Sequence, residues 1–171
     1  MATSKGRGKR PQEGHDLSPD AMRVLRLFRV IFNSVRKHQR RTENRAGVSG
    51  AHVWALSVIR EHPGVGVNEL AATMDIHQST ASNLLRTLVD EELVVVERDT
   101  EDKRAVRLKT TAKGNRLLRS APGPYAGVLP EALLELDPKV LKRLERDLHD
   151  LVQGLSPRED GAQVPLGISS R

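Results

Sequence analysis

At 171 residues the chain can bury one core, and with no cysteine and only four aromatic residues it offers no disulfide, thiolate metal site or stacking platform for single-stranded bases. Its formal charge of +6 is uneven: residues 1–45 hold 12 basic and 4 acidic side chains, residues 46–110 hold 7 and 10, and residues 111–171 hold 9 and 8. Bulk charge therefore does not mark the middle of the chain as a nucleic-acid binder. No long apolar run and no apolar signal core occur, so the expectation is a cytoplasmic protein without a membrane partner.

Residues 1–16 are glycine, proline and charge with little to bury, and are expected to form a disordered basic arm. Ser18 can cap a helix that opens on Pro19 and Asp20, after which Met22, Leu25, Phe28, Phe32 and Val35 recur at helical spacing to about Arg41. The polar stretch TENRAGVSG is expected to break the chain there. A second helix, roughly Gly50 to Glu61, is apolar nearly all round and should lie in the core. His62 to Val67 leaves room for a very short strand, with Asn68 as the cap of a third helix from about Glu69 to Met74. Asp75, Ile76 and His77 make a turn into a fourth helix from about Gln78 to Glu91.

Two short strand-like runs follow, Leu93 to Arg98 and Arg104 to Lys109, joined by a polar loop into a hairpin. Val106 and Leu108 alternate with Arg107 and Lys109, so the second run has one apolar and one basic face. Thr111 can cap a helix through Leu118, which Pro122 and Pro124 must interrupt, and a further segment resumes near Leu129. Asp137 and Pro138 open a last helix with Leu141, Leu144, Leu148, Leu151 and Leu155 at heptad spacing, too short for an independent coiled coil. The tail, 156–171, is expected to be disordered.

The informative segment is HQSTASNLLRTL, residues 77–88. At 100° per residue Ala81, Leu84, Leu85 and Leu88 share one arc, and Gln78, Ser79, Ser82, Asn83 and Arg86 share the other. A helix packed by its leucines would thus project amides, hydroxyls and one arginine together, groups that match the donor and acceptor pattern of a major groove. No acid occurs between His77 and Arg86, whereas Asp90, Glu91 and Glu92 crowd the far end. Short helix, turn, polar-faced helix and hairpin is the order of a winged helix-turn-helix. Lys103 and Arg104 lie near the hairpin tip, where cations can enter a minor groove.

In NELAATMDIHQSTASNLLRTLVDEELV and ERDTEDKRAVRLKTTAKG the sequence resembles the MarR family, the multiple antibiotic resistance regulators, and the likeness extends over roughly Ser18 to Leu155. It implies a mainly α fold with a small β-hairpin wing, DNA-binding over about 50–111, and dimerisation helices at 17–45 and 112–155. The implied activity is that of a homodimeric transcriptional repressor on a palindromic operator of double-stranded DNA. Gln78, Ser79, Thr80, Ser82, Asn83 and Arg86 are the implied groove contacts, and Asp102 matches the acid that orients the wing arginine, Arg104. The second helix, with His52 and Trp54, would wall a pocket for a small aromatic or anionic effector. Against that stands the simpler reading of a core tryptophan beside a partly buried histidine.

Two departures from the family pattern are evident. Glu92 stands where glycine is common after the reading helix, which should lose or distort a left-handed cap, and Ala121 to Pro124 breaks what is usually one long helix. No grouping of residues suggests catalysis, a cofactor or a metal; Glu61 and His62 are a lone pair. The competing reading is a protein-interaction module built on the same winged helix and amphipathic terminal helices.

Overall fold

The computed structural model describes residues 17–98 and 106–155. The arm 1–16, the hairpin tip with Asp102, Lys103 and Arg104, and the tail 156–171 lie outside the described residues. The first helix, α1 (Pro19–Ala46), begins as its capping residues dictate: the Ser18 hydroxyl accepts the Ala21 N–H at 3.2 Å, with Pro19 in the first turn. It continues five residues past Arg41, so the polar stretch is not a break at its start. Thr42 is buried and its hydroxyl donates to the His38 carbonyl at 3.1 Å, which satisfies its polarity inside the helix. The helix stops at Gly47, which takes φ 72° and donates its N–H to the Glu43 carbonyl at 2.9 Å.

α2 (Gly50–Glu61) is the centre of the core, with Val53, Ala55, Leu56, Val58 and Ile59 buried. α3 (Val67–Thr73) is capped by Gly66, not Asn68; the Gly66 N–H is taken by the Glu69 carboxylate at 3.0 Å, half of a capping box. α4 (Gln78–Asp90) follows the turn Met74–His77. The hairpin pairs β1 (Val94–Arg98) with β2 (Val106–Thr110) in antiparallel register, Val96 opposite Leu108 and Glu97 opposite Arg107. The anticipated short strand reduces to two bonds on the other edge of β2: Gly64 N–H to the Leu108 carbonyl at 2.8 Å and Leu108 N–H to the Val65 carbonyl at 3.1 Å.

Beyond the wing, α5 (Ala112–Ser120) is capped by Thr111, whose hydroxyl accepts the Gly114 N–H at 2.9 Å. Pro122 and Pro124 then separate α5 from α6 (Val128–Leu134), and a break at 135–137 separates α6 from α7 (Pro138–Leu155). Asp137 caps α7, its carboxylate accepting the Lys139 N–H at 2.8 Å.

One core joins all of the winged segment: Leu56 and Ile59 of α2, Leu70 of α3, Leu88 of α4, Leu93, Leu108 of β2 and Leu118 of α5 are fully buried. Removing such a side chain from water stabilises the fold by about 1.5–3 kcal/mol each. The terminal helices differ. Val24, Leu27, Val30 and Phe32 of α1, and Leu148, Leu151, Val152 and Leu155 of α7, stay exposed, and no residue of α7 is buried. No helix among the described residues is long and apolar enough to cross a membrane.

Candidate nucleic-acid interface

α4 is fixed from beneath. Ala81, Leu84 and Leu88 are buried, Leu85 is half-buried, and the turn before the helix adds buried Met74 and Ile76. α3 closes on that turn with Asp75 at φ 51°, where the Ile76 N–H reaches the Ala71 carbonyl at 3.0 Å and the Asp75 N–H reaches Ala72 at 3.2 Å. This six-to-one plus five-to-two pair is a Schellman cap, and it sets the angle at which α4 leaves α3.

The far end of α4 closes in the same way, and here the expectation from sequence is corrected. Glu92 adopts φ 57° despite its side chain; its N–H reaches the Val89 carbonyl at 2.9 Å, and the Leu93 N–H reaches Leu88 at 2.8 Å. The left-handed cap is intact. The burial of Leu93, together with Thr111, whose hydroxyl donates to the Glu92 carbonyl at 2.8 Å, over-determines the turn. Lys113 adds a hydrogen bond to the Glu91 carbonyl at 2.6 Å and lies 3.9 Å from the Glu92 carboxylate. It offsets part of the negative charge gathered at that end.

On the outer side Gln78, Ser79, Asn83 and Arg86 are exposed, with Thr80 and Ser82 half-buried beside them. None of these six side chains makes a hydrogen bond or ion pair within the protein among the described residues. They form an open array of donors and acceptors on a rigid helix. The hairpin contributes less positive charge than its sequence suggests. Lys109 meets Glu97 at 2.7 Å, because residues 97, 107 and 109 share one face of the two-stranded sheet. That pairing follows from a register the linear sequence does not specify.

A second feature lies between α1, α2, the turn at 125–127 and the start of α6, a cleft of about 120 Å³ lined by Val35, His38, Trp54 and Tyr125 among others. Trp54 lines it. His52 does not; its Nδ1 sits 2.7 Å from the Ser49 hydroxyl, and burial holds its pKa below the usual histidine value. The imidazole at the cleft is that of His38, also depressed, first by burial and then by the Arg41 charge, while a hydrogen bond to the Pro124 backbone acts in the opposite direction. The Tyr125 hydroxyl donates to the Leu118 carbonyl at 2.9 Å, and Arg60 stacks 5.4 Å above its ring. No group of three or more metal-ligating side chains comes together among the described residues.

A two-helix unit with a polar-faced second helix, backed by a third helix and followed by a packed hairpin, defines a winged helix-turn-helix protein. Residues 46–105 match the family model described as the MarR family. The curated HTH-type transcriptional repressor MdtR of Bacillus subtilis is 22% identical over 88 residues, 52% of this chain and 57% of that protein, so the match spans little more than half of that relative. The fold is shared with Sco3205, a MarR family transcriptional regulator from Streptomyces coelicolor solved in complex with DNA: 24% identity, TM-score 0.56, covering 88% of this chain and 98% of that one. It is shared as well with the S. aureus MepR–DNA complex, at 20% identity and TM-score 0.54 over 78% of this chain and 98% of that one. A MepR-like protein complexed with pseudoligands has the same fold at 18% identity and TM-score 0.55, over 81% of this chain and 97% of that one.

Proposed function

We propose that the protein is a homodimeric transcriptional regulator, a repressor, that reads a palindromic operator in double-stranded DNA. The observation that carries the reading is the outer face of α4: six polar side chains, free of internal partners among the described residues, on a helix whose opposite face is locked in the core. Such groups meet base edges and phosphates without first breaking interactions inside the protein. In the fold-sharing complexes of Sco3205 and MepR, the bound partner is DNA. Arg104, with Asp102 and Lys103 beside it in sequence, is assigned to the wing contact from the family resemblance.

The dimer follows from the terminal helices. The exposed apolar side chains of α1 and α7 cannot be covered by the winged segment, whose own core is complete, and a second copy supplies the matching surface. The cleft beside Trp54, His38 and Tyr125 suits a small aromatic or anionic effector; its volume is close to that of an apolar cavity known to hold one benzene ring.

Binding-site selection with variants tests the reading. Arg86→Ala should weaken operator binding by about 1–3 kcal/mol and relax the preference at one base pair per half-site, and Asn83→Ala should do the same at a different position. Arg104→Ala should leave the major-groove consensus unchanged. If Asn83→Ala and Arg86→Ala both leave affinity and consensus intact, α4 is not the reader and the winged helix serves protein interaction instead.

A further inference from the structure

Between Asp20 and Glu43, α1 contains no acidic residue but seven basic ones. At 100° per residue, Arg26, Arg29, Asn33, Arg36, Lys37 and Arg40 fall within an arc of about 100°, and from 26 to 40 no other residue falls in it. All six are exposed. The arc lies opposite the side that buries Thr42 and packs Val35, and it is bordered by exposed Val30 on one edge and Phe32 on the other, which with Val24, Leu27 and Ile31 make up the apolar surface that a second copy would cover. The five cations form no ion pair with an acidic side chain among the described residues; the one α1 pair is Arg23 with Asp20. Toward the helix end Arg36, Lys37, Arg40 and Arg41, with Asn33 and Asn44, line a shallow trough of about 310 Å³.

Like charges four residues apart, as in Arg36 with Arg40 and Lys37 with Arg41, destabilise a helix, so folding gains nothing from the cluster. A protein partner would need apolar anchors among the charges, and the arc has none. What remains is a straight row of forked and amide donors about 21 Å long, which matches a stiff rod carrying one phosphate charge per roughly 1.7 Å of its axis. We infer that the outer face of α1 is a second contact surface for double-stranded DNA, one that holds phosphates without reading sequence. This rests on the reading of the protein as a duplex binder, and adds to α4 a surface that no part of that reading requires.

The test uses the full chain with Arg29→Gln, Arg36→Gln, Lys37→Gln and Arg40→Gln combined, since glutamine keeps helix propensity while removing charge. Affinity for a duplex of scrambled sequence is followed against salt, and the selected operator is footprinted in parallel. The salt slope should fall by about 0.9 for each phosphate that α1 no longer neutralises, with the operator footprint still in place. A variant with lysine at positions 29, 36 and 40 should keep the wild-type slope, which separates charge from misfolding. An unchanged slope in the glutamine variant, with the footprint still abolished by Asn83→Ala and Arg86→Ala, overturns this inference and leaves the operator reading standing. Absence of duplex binding by the wild-type protein overturns both.

Discussion

Glu92 carries a left-handed conformation that costs an ordinary residue about 1–2 kcal/mol, and it does so because Leu93 must turn into the core immediately after α4. Its carboxylate is exposed and 3.9 Å from Lys113, a separation at which little is gained in return. Glu92→Gly should therefore raise the unfolding free energy by about 0.5–1 kcal/mol, after allowing for the greater freedom of glycine in the unfolded chain. Gly114 behaves oppositely. A Cβ there would collide with the Leu93 carbonyl and come within 3.3 Å of Leu56 Cδ1, so Gly114→Ala should cost about 1–3 kcal/mol. Denaturant unfolding at fixed protein concentration measures both.

His38 and His52 give stability a pH dependence at the same scale. Burial lowers both folded values below the ordinary 6.5, so as pH falls the unfolded chain takes up protons first. Stability rises with pH wherever the unfolded state holds more protons. The contribution is thus complete above pH 6.5 and is lost as pH falls below it through the folded values. Thermal midpoints recorded between about pH 7.5 and 5.5 should drop on acidification, and His38→Gln with His52→Gln should flatten the curve. A curve of unchanged shape in the double variant would show that other groups set it.

Among the elements, α4 and α7 show opposite relations between pattern and packing. The leucine arc of α4 is satisfied within the chain itself, which is why its polar arc is held rigidly outward. The leucine arc of α7 is not: Leu144 is half-buried, while Leu148, Leu151 and Leu155 are exposed. Leu144→Asp with Leu148→Asp should convert a dimer into a monomer or prevent accumulation of folded protein. Light scattering at micromolar concentration is the check, and a wild-type protein that is monomeric while binding a palindrome tightly would refute the arrangement.

For the whole molecule, the winged segment is a closed core that binds its terminal helices unequally. α1 packs on α2 and reaches the 121–127 corner through His38, whereas α7 follows two short connections and no residue of it is buried. The cleft beside Trp54 is walled by α1, through Val35 and His38, as well as by α2.

Periodicity and caps made most of this architecture legible in the chain itself. Ser18, Thr111 and Asp137 mark helix starts because their oxygens capture local N–H groups, and the two arcs of residues 78–88 follow from helical spacing alone. These are interactions within a few residues, and their partners are fixed by sequence distance. What remained was decided by partners far away in the chain. Thr42 continues α1 because a core receives it, Glu92 keeps its left-handed turn because Leu93 and Thr111 hold it, and Lys109 meets Glu97 because the register places them together. The cleft histidine is His38 and not His52 for the same reason: which face of a helix meets its neighbour is settled only when the elements pack.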